Sequence, residues 1–147
     1  MDALDDLQPL SSDYARLPVA DAFDWDAAGE ALGAGEWYMV AFRSVRRPEA
    51  DGRMLTEYDD RAHAEAAAAP GFRHYFKGPL GADGSCMSFC IWESRAVARA
   101  AAGQPLHAEA AALAGQMYER YTLEFLRLRR EPDGPLTFEP YDVPVPS

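Results

Sequence analysis

Residues 85–126, SCMSFCIWESRAVARAAAGQPLHAEAAALAGQMYERYTLEFL, predict a strand, a helix and a second strand in immediate succession. Within this stretch, small polar and large apolar side chains alternate along residues 85–92. This alternation is typical of a strand whose two faces meet different surroundings. One face carries Cys86, Ser88, Cys90 and Trp92, and the other carries Met87, Phe89 and Ile91. The other elements are predicted by working outward from this strand.

The helix after this strand is predicted from its cap and its composition. Ser94 offers an N-cap hydroxyl, and the run rich in alanine and arginine behind it favours a helix. A Gly-Gln-Pro sequence at 103–105 interrupts that run, so we expect the helix to pause there and to resume until about Tyr118. Residues 121–129 then predict the closing strand.

The preceding residues predict another strand, helix and strand. Residues 37–45 are apolar on both sides, so we expect a strand with both faces buried. Thr56 is suited to cap a helix over 57–69, which a Pro-Gly pair then ends. A strand over 72–77 completes the order β-α-β-β-α-β. This order predicts an α+β domain with a ferredoxin-like sheet and both helices on one of its faces.

We expect three parts along the chain: an N-terminal arm with a short helix over 1–35, the domain over 36–130, and an extended tail over 131–147. The first twenty residues are acidic and contain proline, so we predict that they lie outside the core. Phe23 and Trp25 nevertheless need a surface to pack on. We therefore expect the arm to cover the pocket as a lid.

The predicted partner is a second copy of the chain. Two helices on one face of the sheet leave the other face without cover, and residues 37–45 indicate that this face is apolar. An extended apolar face on a small domain marks an interaction surface. Sheet-against-sheet packing of two copies is the simplest cover, so we predict a homodimer through the sheet face.

The charge of the chain excludes several classes of partner. The 147 residues suit a single domain with a substantial core, and their formal net charge is −10. Such a surface repels the phosphates of nucleic acids and the head groups of anionic membranes. No apolar run approaches the roughly 20 residues that span a bilayer. The N-terminal residues are acidic where a secretory signal would be basic and apolar, so we expect a cytoplasmic protein.

The two cysteines do not predict a disulfide or a metal site. Cys86 and Cys90 lie four residues apart on one predicted strand, which separates their Cα atoms by roughly 13 Å. A disulfide requires less than about 7 Å. A zinc site would need two further ligands, and the sequence has no second cysteine pair.

Several segments together resemble the dimeric α+β barrel superfamily, the group that contains the antibiotic-biosynthesis monooxygenase-like proteins. The resemblance spans about residues 36–130 and rests on Ala69-Pro70-Gly71-Phe72, Trp92-Glu93-Ser94 and Gln104-Pro105-Leu106-His107. A closer likeness to an uncharacterised family of this type rests on Phe42-Arg43-Ser44, Tyr75-Phe76, Cys90-Ile91-Trp92-Glu93-Ser94 and Tyr118-Glu119-Arg120-Tyr121.

The resemblance implies a dimeric barrel with a small-molecule pocket between the sheet and the two helices. Its members include cofactor-free oxygenases of aromatic polyketides, lactone isomerases, dehydratases and haem-degrading enzymes. The haem-degrading branch uses an asparagine on the first strand, a tryptophan on the third and a histidine on the second helix. Trp92 and His107 resemble the last two, but the first strand has no asparagine and His107 lies further from Trp92 than in that pattern. No cofactor is therefore expected, and haem is the less favoured alternative.

Three histidines are candidate catalytic residues. His63 follows Asp59 by one helical turn, and the two are either a general base with its orienting carboxylate or a solvated surface pair. His74 alternates with Phe72 and Phe76, so we expect all three on one face, in the pocket or in the dimer interface. His107 lies in the first turn of the resumed helix, where the helix dipole favours a neutral imidazole base, or it caps that turn at the surface.

Arg43 is the fourth candidate, because it ends an otherwise apolar strand. Its guanidinium suits a carboxylate or an enolate oxygen at the edge of a pocket. The alternatives are a salt bridge to Glu57 or Asp59, or simple exposure.

Five further residues are candidates for binding a substrate. Ser88, Cys90 and Trp92 share one strand face, where they offer a hydroxyl, a thiol and a stacking surface, or they are ordinary interface residues. Tyr118 and Tyr121 are hydrogen-bond donors to an oxyanion, or core tyrosines. The sequence has no glycine-rich phosphate loop, no HExxH helix and no GxSxG turn.

Three functions agree with these residues. The first is a cofactor-free enzyme that uses a histidine base with an arginine or tyrosine partner to oxygenate, isomerise or cyclise an aromatic or enolisable metabolite. The second is a non-catalytic dimeric protein that binds a small-molecule ligand. The third is a haem-binding or haem-processing protein with His107 or His63 as axial ligand.

Overall fold

The computed structural model describes residues 4, 6–49, 52–81, 83–102 and 117–141. The strands are β1 (Gly35–Arg46), β2 (Phe72–Phe76), β3 (Ser85–Trp92), β4 (Tyr118–Arg130) and β5 (Thr137–Pro140). The helices are α1 (Val19–Ala22), α2 (Asp26–Leu32), α3 (Gly52–Ala67) and α4 (Arg95–Ala102), with a 3-10 turn over Tyr14–Arg16. No helix within these residues is long and apolar enough to cross a membrane.

The strands form one antiparallel sheet in the order β2-β3-β1-β4-β5. The first four strands and the helices between them have the predicted α+β, ferredoxin-like arrangement, which confirms the fold class. The sequence predicted an extended C-terminal tail, and part of it is the added strand β5, which pairs with the end of β4. Leu128 pairs with Phe138 in this register, so β5 extends the apolar face of the sheet.

The helix ends follow local sequence in part. The Ser94 hydroxyl accepts a hydrogen bond of 3.3 Å from the backbone N–H of Val97, as expected for the cap of α4. Helix α3 instead begins at Gly52, so Thr56 lies inside it and the predicted cap was wrong. The residues just before Thr56 include arginine, methionine and leucine, which favour helix strongly enough to extend it by a turn. The interruption at 103–105 and the resumed helix lie outside the described residues.

The two faces of the sheet have different covers. We call the face under α3 and α4 the helix-side face. Its core consists of Tyr38, Val40, Phe72, Cys90 and Trp92, packed with Ala66, Val97, Ala98 and Ala101. We call the opposite face the N-terminal face. Its core consists of Met39, Ala41, Phe76, Met87, Phe89, Ile91 and Leu128.

The N-terminal face is covered by the first part of the chain itself. Tyr14, Phe23 and Trp25 are buried there at 2%, 2% and 7% relative exposure. The expectation that the first twenty residues lie outside the core was therefore wrong, because Tyr14 and Val19 belong to the central cluster. The segment also does not lie over the space between sheet and helices, as a lid would. Its aromatic rings pack on the opposite face, where β2 and β3 present phenylalanines.

This cover removes the premise from which the homodimer was predicted. That argument required one sheet face to be left bare by the chain. The homodimer itself stays a prediction.

Candidate functional site

A cluster of aromatic side chains lies where α3 packs on the edge of the helix-side face. The ring centroid of His63 on α3 is 4.4 Å from that of Tyr75 and 6.2 Å from that of Phe72, both on β2. Phe72 in turn meets Trp92 of β3 edge to face at 5.4 Å. His63 and Tyr75 are half-buried, whereas Trp92 is buried. The cluster therefore joins a titratable imidazole and a phenol on an apolar wall.

A β-bulge decides which side chains of β2 enter this cluster. Phe72 pairs with Trp92, whereas His74 pairs with Ile91, so the register shifts between Phe72 and His74. The extra residue in β2 turns Phe72 towards the helices and leaves His74 on the N-terminal face. The prediction that His74 shares a face with both Phe72 and Phe76 was therefore half wrong. His74 lies with Phe76, and its ring is 6.4 Å from that of Phe89.

Cys90 lies on the helix-side face and is an inert thiol. The indole N–H of Trp92 donates a hydrogen bond of 3.0 Å to its sulfur. Burial raises the pKa of the Cys90 thiol to about 11, and the bond from Trp92 offsets only part of this effect. The thiol is protonated at neutral pH. Nucleophilic catalysis by Cys90 is therefore not supported, because the thiolate is the reactive form.

Ser88 is buried on the same face, where its oxygen accepts a hydrogen bond of 3.2 Å from the backbone N–H of Gly78. This bond ties the loop after β2 to β3. The predicted set of Ser88, Cys90 and Trp92 does share one face, but Ser88 and Cys90 are engaged in internal hydrogen bonds.

The other half of the helix-side face is lined by β4. Tyr121, Leu123 and Phe125 alternate along this strand and are 39%, 47% and 40% exposed. They pair with β1 residues of the same face, and the ring of Tyr121 is 6.0 Å from that of Phe42. Tyr118 stacks on Tyr121 at 5.7 Å. The two predicted tyrosines thus lie together beside an accessible apolar surface.

Arg43 lies on the N-terminal face, away from this cluster. Its Nε pairs with the carboxylate of Glu124, and its Nη1 donates a hydrogen bond of 2.8 Å to the carbonyl oxygen of Ala15. A salt bridge was one of the predicted alternatives, but its partner is on β4 and not on α3. The register between β1 and β4 explains this partner. Arg43 pairs with Thr122, and Glu124 lies two residues further along β4 on the same face of the sheet. These contacts engage the Nε and Nη1 groups of a guanidinium that has five N–H donors, and the ligand-binding role of Arg43 stays a prediction.

His107 and the side chain of Asp59 lie outside the described residues. The predicted Asp59–His63 pair and the predicted base at 107 therefore stay predictions. Of the four residues predicted to be catalytic, His63 alone is placed by the described residues in the helix-side cluster.

A family profile described as PB2B2.08-like matches residues 1–140 of the chain. The chain belongs to this family. Its relative in Schizosaccharomyces pombe, UPF0643 protein PB2B2.08, is 30% identical over 128 residues, which are 76% of this chain and 58% of that protein. The chain therefore spans little more than half the length of this relative.

Solved structures similar to this member of the PB2B2.08-like family include antibiotic biosynthesis monooxygenases, so the fold is the one that the resemblance implied. Rv0793 from Mycobacterium tuberculosis matches with a TM-score of 0.54 and 22% identity, over 65% of this chain and 95% of that one. A variant of SnoaB, a cofactor-independent oxygenase from Streptomyces nogalater, matches with a TM-score of 0.51 and 19% identity, over 63% and 91%. At these identities the likeness establishes the fold.

A surface groove lies on the other side of this family member. It has a volume of about 500 Å³ and runs between the N-terminal segment and the residues before and in β5. Its lining consists of Leu10, Ala20, Phe23, Asp24, Trp25, Asp26, Leu136 and Phe138. Of the predicted catalytic and substrate-binding residues that the structure describes, none lines this groove.

The described residues contain no group of three or more His, Cys, Asp or Glu side chains that would hold a metal ion. Among the described side chains, the rings of Phe72 and Tyr75 lie beside His63, and aromatic rings are not hard-cation ligands.

Tyr75 is the residue that the sequence analysis missed. The predicted strand over 72–77 contains it, but its neighbour His74 was the candidate site residue predicted there. The alternation of β2 offered a signal: Tyr75 and His74 must lie on opposite faces, and the hairpin aligns Tyr75 with Cys90. The face of Cys90 and Trp92 had already been singled out, so the pairing alone would have identified Tyr75.

Proposed function

We propose that this protein is a cofactor-free enzyme that removes a proton from an aromatic or enolisable small molecule bound on the helix-side face. His63 is the base, and Tyr75 donates a hydrogen bond to the oxygen on which negative charge develops. The observation that supports this most is the contact of these two rings at 4.4 Å, half-buried on an aromatic wall.

The chemistry of this step fits these two side chains. An imidazole accepts a C–H or phenolic O–H proton near neutral pH, and the electron pair stays on the substrate as an enolate or phenolate. A phenol beside the base stabilises that oxygen anion through a hydrogen bond. Return of the proton to a different atom completes an isomerisation. Oxygenation of the same anion would take dioxygen as the oxidant: one oxygen atom replaces the two hydrogens of a CH2 group as a carbonyl, and the other leaves with those hydrogens as water.

The surroundings favour an aromatic substrate. Phe72 lies beside His63 and meets Trp92 edge to face, so the site has an aromatic wall. Ligand sites are commonly lined in this way, by apolar walls with a small number of polar groups that fix orientation. The structural likeness to a cofactor-independent oxygenase, at 19% identity, agrees with this class of reaction.

The proposal includes no cofactor. Haem would require an axial ligand with access to the iron, and the rings of Phe72 and Tyr75 lie against the imidazole of His63. The purified protein should therefore be colourless. An intense absorption band near 400 nm, of the kind that haem proteins show, would instead favour a role in haem processing.

The proton transfer is tested by hydrogen–deuterium exchange into a panel of phenols and aromatic 1,3-dicarbonyl compounds, followed by NMR in deuterated buffer. His63→Gln should slow exchange by about 100-fold or more, the usual contribution of a general base. Tyr75→Phe should slow it by a smaller factor with the protein still folded.

His74→Gln is the matched control, because this histidine lies on the other face of the sheet. Its exchange rate should equal that of the unaltered protein. Equal loss in the His63 and His74 variants, or no catalysed exchange with any compound, would contradict the proposal.

A second candidate function is ligand binding without catalysis in the surface groove. Its floor is aromatic, with the rings of Trp25 and Phe138 at 5.1 Å, and the exposed Asp24 and Asp26 stand at its rim. These features fit an apolar ligand with a positive charge. Binding in the groove is tested by adding aromatic amines to the protein and following the fluorescence of Trp25. Asp24→Asn with Asp26→Asn should weaken binding and reduce its dependence on salt, and unchanged affinity would exclude this site.

A further inference from the structure

Arg46, at the end of β1, is a half-buried cation without a counter-ion. Among the residues that the structure describes, its buried Nε has no hydrogen-bond partner and its guanidinium forms no ion pair. Arg43 on the same strand, by contrast, is paired with Glu124. A charged group that is withdrawn from water without a partner costs free energy. The position of Arg46 therefore suits an anion that comes from outside the chain.

A bulge in β4 places Arg46 beside a tyrosine. Val45 pairs with Arg120 and Arg46 pairs with Tyr118, so Glu119 is the extra residue of β4 at this point. Paired residues of antiparallel strands project from the same face, with their Cβ atoms about 4.5–5.5 Å apart. The bulge thus brings the phenol of Tyr118 to the face on which Arg46 lies.

That face is the helix-side face. Arg46 follows Phe42 by an even number of residues along β1, so both side chains project on the same side. The ring of Tyr121 lies 6.0 Å from that of Phe42 and 5.7 Å from that of Tyr118, and the two tyrosine rings are stacked with an angle of 21° between their planes. Tyr121 is 39% exposed, so a ligand has access to this stack.

The backbone that carries the guanidinium is held from both sides. The N–H of Arg46 donates a hydrogen bond of 2.9 Å to the carbonyl oxygen of Gly84, before β3. The N–H of Arg47 donates one of 2.9 Å to the carbonyl oxygen of Met117, before β4. Side chains on a strand end fixed in this way hold a ligand more precisely than those of a loop.

We propose that Arg46, Tyr118 and Tyr121 form a binding site for an aromatic carboxylate. The planar guanidinium matches a carboxylate group through paired N–H donors. The tyrosine rings offer a surface on which the aromatic ring of the ligand packs, offset or edge to face. Such a ligand supplies the charge that Arg46 lacks and covers the exposed part of Tyr121.

The local charge favours an anion although the chain as a whole repels one. The formal net charge is −10. Arg46, Arg47 and Arg120 nevertheless lie together at this end of the β1–β4 pair, and Glu119 is the acidic residue between Tyr118 and Arg120. The potential near a surface follows the nearby charges more than the total.

The site is separate from the proposed proton transfer at His63. Tyr75 is aligned through Cys90 with Val40 of β1, and Arg46 follows Val40 by six residues, which is about 20 Å of strand. Binding at Arg46 therefore does not depend on the proposed catalytic function, and His63→Gln should leave the affinity for the carboxylate unchanged.

The ligand class is tested by isothermal titration calorimetry of the full-length protein with benzoate. Benzamide keeps the ring and removes the charge, whereas cyclohexanecarboxylate keeps the charge and removes the aromatic ring. Because hydrogen bonds to a charged group are the strong ones, benzoate should bind with a Kd about tenfold or more below that of benzamide. Cyclohexanecarboxylate should bind with a Kd between the two.

Arg46→Met tests the cation, because methionine keeps much of the length of the side chain and removes its charge. The Kd of benzoate should rise by about tenfold or more. Arg120→Met is the matched control. It removes the same charge at the same end of the sheet, but Arg120 pairs with Val45 and so projects from the other face. The control should change the Kd by less than about twofold, since salt screens exposed charges.

Two further measurements separate a binding role from a structural one. Arg46→Met should not lower the melting temperature of the ligand-free protein, because no described residue pairs with the Nε of Arg46. Tyr121→Leu should bring the Kd of benzoate close to that of cyclohexanecarboxylate, because the stacking surface is then lost.

Four results would overturn the proposal. One is the absence of any heat of binding with benzoate up to about 10 mM. Another is an unchanged Kd in Arg46→Met. The third is an equal loss in Arg46→Met and Arg120→Met, which would show a response to net charge alone. The last is inorganic phosphate that competes as strongly as benzoate, since the site would then take any anion.

Discussion

The hydroxyl of Tyr14 donates a hydrogen bond of 2.6 Å to the carbonyl oxygen of Pro79, 65 residues further along the chain. The same oxygen accepts a bond of 3.3 Å from the backbone N–H of Met87. Burial is the main cause that raises the pKa of this phenol above its ordinary value, so it stays protonated and remains a donor. One side chain therefore joins the N-terminal segment, the loop after β2 and strand β3.

Tyr14→Phe should destabilise the protein without changing its fold. The substitution leaves a buried N–H of Met87 without this acceptor, and such a loss costs about 1–3 kcal/mol of unfolding free energy. Urea denaturation measures it. Tyr121→Phe is the control, because it removes the same hydroxyl from a tyrosine that is 39% exposed. Equal stability of the two variants would show that the Tyr14 bonds contribute nothing.

Phe23→Ala should be among the most damaging single substitutions in the N-terminal segment. Its ring lies within 6.0 Å of the rings of Tyr14, Trp25, Phe76 and Phe89, and truncation of such a buried ring costs about 3–5 kcal/mol. Leu10→Ala, at a position that is 62% exposed, should change stability by less than about 0.5 kcal/mol. Thermal unfolding that gives the two variants the same midpoint would contradict the buried position of Phe23.

Cys90 should react slowly with alkylating reagents below pH 9. Its pKa is raised from 9.0 to about 11, so the folded protein keeps the thiol proton while the unfolded chain loses it. The unfolding free energy should therefore fall as the pH rises from about 9 to 11. A Cys86→Ser variant isolates this thiol for iodoacetamide kinetics, and the same variant in urea supplies the unfolded reference. A fast reaction of the folded variant at pH 8 would disprove the raised pKa.

Gly71→Ala should strain the turn that brings α3 onto β2. Gly71 has a φ of 82°, and a Cβ added there would lie 2.6 Å from Cγ2 of Val97 on α4. The left-handed conformation alone costs roughly 1–2 kcal/mol for a residue with a side chain, and the clash adds to it. In a Val97→Ala background the cost of Gly71→Ala should be smaller. Equal costs in both backgrounds, measured by urea denaturation, would show that Val97 is not the obstacle.

Local sequence was enough to predict the domain from β1 to β4. Alternation along residues 85–92 and the Ser94 cap are short-range features, and the structure has strand β3 and helix α4 at those positions. The N-terminal segment was misjudged for the same reason. Its acidic, proline-containing composition resembles an exposed arm, and its three aromatic rings become buried only because a sheet formed much later in the sequence receives them.

The candidate site was predicted less well than the fold. Alternation correctly grouped Cys90 and Trp92, but it cannot show which face of a sheet meets the helices. The bulge at Arg73 then reversed the expected grouping of Phe72 with His74, because one unpaired residue changes the side of every later side chain. Arg43 looked available in sequence, and its partner Glu124 lies 81 residues away.

The sequence by itself determined the order of strands and helices, since the period of apolar residues and the capping groups act over a few residues. The tertiary structure decided which face each strand shows to the helices, what covers the other face, and which polar groups remain available for chemistry. Both faces of β1 are apolar, so periodicity gives no preference between them. Only the packing of the N-terminal segment on one side and of α3 on the other places Arg43 against the backbone of Ala15 and His63 against the aromatic rings of β2.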